Sequence, residues 1–141
     1  MTRVICVGHS LLPIDNAGPQ LCKRLRELPL PSEVELIDGG LQGLNLLCCF
    51  ENCRRVILID NVHGYRDSPG IVQLRDEQIC AAVSRHHDHA AGLAYLLALL
   101  PRLVAPLPRI DLLGIEGELN PVLERQVIDA LFRLLDIGMA A

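Results

Sequence analysis

Carboxylate side chains follow several short apolar runs of this chain, where they could bind a cation or transfer protons. Asp15 closes the loop after the first run, Asp38 and Asp60 end the second and third runs, and Glu116 ends the last. In an open α/β sheet, ligands bind outside the carboxyl ends of the strands. If the runs are strands, their carboxylates meet at one edge of the sheet and form a candidate metal or acid–base site.

Histidines are the second group of chemically useful side chains. His86, His87 and His89 precede an apolar helical pattern. Carboxylates with a neutral imidazole suit a borderline divalent ion such as nickel or zinc, but no pair follows the zinc-protease His-Glu-x-x-His spacing. The chain also lacks the elbow motif of serine hydrolases and the phosphate loop of NTPases. The ordinary alternative places His86 and His87 on a solvated loop and His89, beside Asp88, in a helix cap.

The carboxylates have ordinary structural interpretations too. Asp15 or Asn16 is a favoured cap for a helix that starts at residue 17. Asp60 at a strand end is a common turn residue. The Asp-Gly-Gly segment at residues 38–40 is typical of a tight turn, because glycine tolerates positive φ. The case for a functional site therefore depends on all of these segments together.

Alternating strand and helix patterns must position these residues. Strand signals occur at residues 4–8, 34–38, 56–60, 71–74 and 110–115, and helical spacing occurs at residues 17–28, 42–50, 88–100 and 121–137. The alternation predicts one α/β domain over residues 1–141, with parallel strands and helices on both faces of the sheet. Roughly ten residues separate the third and fourth strands, fewer than a helical crossover needs. We therefore expect the fourth strand to run antiparallel at or near an edge.

Composition limits the class of protein. The 141 residues carry a net charge of −4, half are apolar, only 3% are aromatic, and the mean hydropathy is +0.32. A disordered chain is excluded, and nucleic-acid binding, which needs a basic surface, is not expected. The longest apolar run, residues 90–100, is about half the roughly 20 residues that a membrane span needs. It predicts a buried helix, with Pro101 and Arg102 closing the run, and no membrane association.

The cysteines and the N-terminus indicate a compartment. Cys6 and Cys22 lie inside apolar patterns, and Cys48, Cys49 and Cys53 lack the paired Cys-x-x-Cys spacing of a structural zinc site. The apolar run at the N-terminus is shorter than the apolar core of a secretory leader and is followed by no small-residue cleavage site, so we expect it to be the first strand. We expect reduced, mostly buried thiols in a cytoplasmic protein.

The order of these segments resembles the hydrogenase maturation endopeptidases. In that family the first strand leads into a Gly- and Leu-containing loop that ends in acids, and the second strand ends in Asp-Gly-Gly-x-x-Gly. An Asp closes the apolar third strand, and a His precedes a helix that contains Gly-Leu. The matching residues cover nearly the whole chain: Gly8, Leu11, Asp15 and Gly18, then Asp38-Gly39-Gly40-Leu41-Gln42-Gly43, Ile57-Leu58-Ile59-Asp60 and His89-Ala90-Ala91-Gly92-Leu93. The Asp-Gly-Gly-x-x-Gly segment is the most specific part of the match.

The resemblance implies a fold and an activity. The fold would be a three-layer α/β/α sandwich of the phosphorylase/hydrolase-like kind, with a five-stranded, mostly parallel, mixed and twisted sheet whose first and third strands are neighbours. The activity would be removal of the C-terminal extension of the nickel–iron hydrogenase large-subunit precursor, once nickel is in place. Asp15, Asp60 and His89 match the nickel-contacting positions and would carry both recognition and catalysis. Nickel would be bound in the precursor and would bind the enzyme at most transiently. The protein would act as a monomer.

The chain departs from the family pattern at three positions. His9 stands where the family usually has Asn, Ile14 replaces the first of two acids, and Gly117 replaces a common Pro. The missing acid lowers the charge of the site, and His9 could add a ligand or a hydrogen-bond donor. The altered loop leaves open a non-catalytic nickel- or precursor-binding chaperone. A small-molecule hydrolase or phosphorylase is a third alternative, although Arg66 and Arg85 alone offer little for an anion clamp.

Overall fold

A five-stranded sheet is the centre of the fold. The computed structural model describes residues 1–41, 43–79 and 91–136. In this part of the chain the strands are β1 Thr2–Val7, β2 Val34–Gly40, β3 Arg55–Asn61, β4 Gly70–Arg75 and β5 Arg109–Glu116. Their order across the sheet is β2-β1-β3-β5-β4, and only the β4–β5 pair is antiparallel. The predicted mixed sheet is confirmed, with the fourth strand antiparallel at an edge and the first and third strands adjacent.

Helices cover the sheet, and their ends differ from the predicted ones. The structure has α1 Ala17–Leu25, a 3-10 helix Gly43–Phe50, α2 Ala91–Leu103 and α3 Pro121–Leu134. Helix α1 ends before the predicted residue 28 because Glu27 and Leu28 donate to carbonyls three residues back, which tightens the last turn. Helix α2 continues past Pro101, and Val104 N–H closes its last turn on the Leu100 carbonyl at 2.9 Å. The predicted helix ends at residues 42, 88 and 137 lie outside the described residues.

Both faces of the sheet are buried, which explains the high apolar content of the chain. Successive side chains of a strand point to opposite faces. Ile5 and Val7 pack in a core with the 3-10 helix and α2, whereas Val4 and Cys6 pack in a second core with α1 and α3. The three-layer α/β/α architecture follows from these two cores. None of the helices in the described ranges is long and apolar enough to cross a membrane.

An ion pair joins strands and helix at the amino-terminal edge of the sheet. Arg55, at the start of β3, donates through Nε to Oδ2 of the buried Asp111 on β5 at 2.8 Å. Its Nη1 also donates to the Leu134 carbonyl at the end of α3, at 2.6 Å. Arg75 and Arg109 also lie 3.9 Å from the Asp111 carboxylate, so Arg55 is the nearest of three arginines that compensate this buried charge. The role of this cluster is structural.

Two glycines bring the β1–α1 loop close to the strand. Gly8 has φ +147°, and a Cβ there would lie 2.3 Å from the Asp15 carbonyl oxygen. A Cβ on Gly18 would lie 2.1 Å from the Val7 carbonyl oxygen. Contacts this short involve backbone, so a side chain cannot be accommodated by a rotamer change. The glycines therefore let the loop fold back on the end of β1, with α1 packed directly on the strand.

Replacing Gly18 with alanine tests this close approach. We expect Gly18→Ala to destabilise the protein by about 1–3 kcal/mol, as overpacking does in tightly packed cores. In most helices a glycine-to-alanine change increases stability, so the expected effect here has the opposite sign. Chemical denaturation gives the free energy of unfolding, and Gln20→Ala at an exposed position of α1 is the control. A Gly18→Ala protein as stable as the parent would contradict the proposed packing.

Candidate functional site

Asp15 and Asp60 come together at the carboxyl edge of the two adjacent strands. Asp60 is the penultimate residue of β3, and Asp15 closes the loop between β1 and α1. Both are buried, with exposed fractions of 2% for Asp15 and 4% for Asp60. Carboxylates are seldom buried this completely without a partner charge or a functional reason.

The two carboxylates interact electrostatically. Burial raises the pKa of Asp60 well above its usual range, and the negative charge of Asp15 raises it further. The backbone N–H of Asn61, which donates to Asp60 Oδ1 at 2.8 Å, lowers this pKa and only partly offsets the other two effects. The pair is therefore a site of concentrated negative charge that a cation or a proton would stabilise.

Backbone groups of the β1–α1 loop hold Asp15 in place. The N–H of His9 donates to both the carbonyl oxygen of Asp15, at 2.9 Å, and its Oδ2, at 3.1 Å. The His9 ring accepts the Leu11 N–H through Nδ1 at 3.1 Å, so this nitrogen supports the loop. Asn16 occupies the N-cap position of α1 but makes no side-chain cap hydrogen bond. Asn16 is thus not the ordinary side-chain helix cap that the sequence left open.

Asn61 is a polar residue of the site that the sequence analysis missed. It follows Asp60 on β3 and is buried. Its Oδ1 accepts the Ala17 N–H at 3.0 Å, and its Nδ2 donates to the carbonyls of Ile115 and Gly117 at 3.0 and 3.1 Å. The only sequence signal was an amide at the end of an apolar strand, which is ambiguous without the fold.

Glu116 shapes the neighbouring loop. Its carboxylate accepts the backbone N–H groups of Gly64, Tyr65 and Arg66 at 3.2, 2.8 and 3.1 Å. A cleft of about 270 Å³ lies beside this loop, between the β1–α1 loop and the end of β5. Its lining includes Ile14, His63, Arg66 and Pro69. Glu116 therefore organises one wall of a cleft at the carboxyl edge.

The other predicted residues have different positions. Asp38 is exposed near the end of the edge strand β2, whose last residue Gly40 has φ +51°. His86, His87 and His89 lie outside the described residues, and so does Asp88. Within the described ranges, no three His, Cys, Asp or Glu side chains come together as a metal site. Asp15 and Asp60 are thus the predicted pair that the described structure brings together.

The fold and the buried carboxylates define a three-layer α/β protein with an acidic site at the ends of β1 and β3. The profile of a family described as HycI, hydrogenase maturation protease, matches residues 19–139. The chain is 31% identical over 143 residues to the hydrogenase 2 maturation protease of Escherichia coli strain K12, covering 94% of this chain and 87% of that protein. The chain belongs to the hydrogenase maturation protease family.

Solved structures of similar proteins have this fold. The hydrogenase maturating endopeptidase HybD from Escherichia coli superimposes with a TM-score of 0.79 at 28% identity, over 96% of this chain and 90% of that one. The [NiFe] hydrogenase maturation protease HybD from Thermococcus kodakarensis has the same fold, with a TM-score of 0.69 at 21% identity. It covers 94% of this chain and 97% of that chain.

The raised pKa of Asp60 predicts that its carboxylate destabilises the fold at neutral pH. A carboxyl whose pKa is higher in the folded than in the unfolded protein lowers stability as pH rises through that interval. We expect Asp60→Asn, whose Oδ1 can still accept the Asn61 N–H, to be more stable than the parent at pH 7. An increase of about 1 kcal/mol in the free energy of unfolding would raise Tm by about 4 °C in a chain of this size.

Thermal unfolding between pH 4 and pH 8 measures this effect. The difference in Tm between Asp60→Asn and the parent should grow with pH and shrink towards pH 4. That pH is close to the ordinary Asp pKa of about 3.9, so the carboxyl is protonated in the folded protein and only partly ionised in the unfolded one. Glu33→Gln, at an exposed position, controls for the loss of one negative charge. A lower Tm for Asp60→Asn than for the parent at pH 7 would rule out the destabilising carboxylate.

Proposed function

We propose that this chain is an endopeptidase that removes the C-terminal extension of a nickel–iron hydrogenase large-subunit precursor after nickel insertion. The observation that carries the proposal is the buried pair Asp15–Asp60, held at the carboxyl edge of two adjacent parallel strands. Membership of the hydrogenase maturation protease family supports the same activity.

Nickel is part of the substrate in this proposal. Two carboxylates that repel each other gain from a divalent cation between them, and imidazole is a good nickel ligand. Asp15 and Asp60 would contact the ion already bound in the precursor, and His89, which lies outside the described residues, would be the third contact. The ion would supply a recognition signal and Lewis-acid polarisation. Processing would then wait for nickel, because an empty precursor offers no cation to the acidic pair.

The carboxylates also suit the hydrolysis of a peptide bond. We propose water as the nucleophile, with the carboxylates at this edge as the groups that accept its proton and return it to the leaving amine. The reaction adds one water and releases the tail with a free amine and the mature subunit with a free carboxylate. Burial of the pair keeps competing water away and strengthens these interactions.

Exposed apolar side chains lie on the loop that carries Asp15 and fit a protein substrate. Leu11 is 81% exposed, and Leu12 and Ile14 on the same loop are exposed as well. Leu41, just after β2, is a further exposed apolar side chain next to this edge. Together with the cleft between Ile14 and Pro69, these side chains form a rim that a partner could cover. Exposed apolar residues concentrated at one place commonly mark an interaction surface.

Loss of either carboxylate should stop processing. We expect Asp15→Asn and Asp60→Asn to slow trimming of nickel-loaded precursor by at least about 100-fold, as removal of groups that act directly on the reacting centre does. His89→Ala should act in the same way. Mass spectrometry of the precursor C-terminus measures the rate. Asp60→Asn is expected to fold stably, so its loss of activity cannot be attributed to unfolding.

The control variant is Glu33→Gln, which removes an exposed carboxylate at the amino-terminal edge of the sheet, where the Glu33 carbonyl accepts the Thr2 N–H, and it should trim at the parent rate. If Asp15→Asn and Asp60→Asn trimmed normally, the acidic pair would have no part in the reaction. If the parent protein bound nickel-loaded precursor and left its mass unchanged, the chain would be a maturation chaperone and not a protease.

The apolar rim should determine affinity and not the chemical step. We expect the double variant Leu11→Ser/Ile14→Ser to raise KM for the precursor about tenfold, which corresponds to a loss of about 1.4 kcal/mol of binding free energy from the two apolar contacts together. Its kcat should stay within about twofold, since neither side chain contacts the reacting bond. Leu103→Ser is the control, because Leu103 is exposed beside Met1 and Arg54 at the opposite edge. An unchanged KM in the double variant would place precursor binding elsewhere.

A further inference from the structure

The side chain of Asn61 joins three segments around the acidic pair. Asn61 is 1% exposed. Its amide oxygen accepts from Ala17 at the start of α1, and its amide nitrogen donates both hydrogens to carbonyls at the end of β5, those of Ile115 and Gly117. A neutral amide has two donors and an oxygen acceptor, and all three functions are in use here.

The contact to Ala17 replaces the missing cap of α1. The first N–H groups of a helix have no partner within the helix and are usually satisfied by a side chain just before it. Asn16 is at that position but makes no such bond, and the acceptor comes instead from a residue 44 positions along the chain. The beginning of α1 is therefore fastened to β3, two residues after Asp15 and next to Asp60.

This arrangement connects the two carboxylates through a short path. Asp15 precedes Ala17 by two residues, Ala17 is bonded to the Asn61 side chain, and Asn61 follows Asp60 directly. The bonds from His9 hold Asp15 within its own loop and do not attach that loop to β3. The bond from Ala17 to the Asn61 side chain, in contrast, joins the start of α1 to β3 directly beside Asp60.

We propose that Asn61 is a positioning residue that sets the separation and orientation of the Asp15 and Asp60 carboxylates. The proposal rests on the proposed function where cleavage is concerned, but the positioning itself is a structural claim that can be tested separately. Asn61 would touch neither the nickel ion nor the peptide. A misplacement of about 1 Å in a catalytic group can slow a reaction about 100-fold, so this indirect role has a measurable consequence.

The first test is structural and does not require a substrate. In Asn61→Ala, the amide hydrogen of Ala17 should exchange with solvent at least about tenfold faster, measured by NMR. A crystal structure should show the carboxyl groups of Asp15 and Asp60 displaced from each other. Unchanged Ala17 exchange with unchanged carboxylate positions would overturn the proposal, whatever the activity. If Asn61→Ala does not fold, Asn61→Ser, which keeps a small polar group, carries the same expectations.

The second test separates positioning from general stability. Asn61→Ala should lower kcat for trimming of nickel-loaded precursor by about 10- to 100-fold, with KM within about twofold. The matched control is Arg55→Gln, which removes hydrogen bonds from the opposite end of the same strand. Each variant is assayed at a temperature that lies the same number of degrees below its own Tm. The proposal is overturned if the control loses as much kcat as Asn61→Ala.

Failure of the proposed function gives a different result from failure of the positioning role. If the parent protein trims no precursor, the protease assignment fails while the Ala17 exchange and the carboxylate separation still decide the role of Asn61. If the parent trims and Asn61→Ala trims at the parent rate, the protease assignment stands and the positioning role fails.

Discussion

Two like charges buried beside each other are the constraint on which the rest of this structure depends. Asp60 loses hydration and lies beside the negative charge of Asp15, and both effects disfavour its ionised form. Such a pair persists only if the surrounding structure is stable enough to hold it. The two apolar cores on either face of the sheet provide that stability, and they account for the apolar half of an otherwise small and acidic chain.

Close backbone packing brings the pair together. The parallel pairing of β1 and β3 places the ends of both strands side by side, and Gly8 and Gly18 let the intervening loop fold back onto β1. Asn61 then attaches the start of α1 to β3 and β3 to the end of β5. Rigid elements of this kind hold functional groups more accurately than a free loop does. The surrounding loops contribute the apolar rim and the cleft, whose shape can vary without disturbing the pair.

Much of the fold was predictable from local patterns. The five apolar runs became the five strands, and the short connection after β3 correctly indicated an antiparallel edge strand. The ends of helices were less predictable, because i to i−3 bonds shorten α1 and the Val104 N–H closes the last turn of α2 beyond Pro101. The helical pattern predicted over residues 42–50 did not distinguish an α-helix from the 3-10 helix that forms at Gly43–Phe50. Such choices depend on tertiary packing and not on residue type.

The sequence by itself determined the parallel strands and the acids that end them. Apolar runs and the residues that follow them are local features, and they can be recognised without knowledge of the fold. It also favoured Asp15 and Asp60 as a pair, through the order of its segments. Only the tertiary structure decided that Asp38 stays exposed, that Glu116 binds the β3–β4 loop, and that Asn61 caps a distant helix. The roles of Glu116 and Asn61 depend on hydrogen bonds between residues some 40 to 60 positions apart. No local pattern specifies which distant backbone groups need such a partner.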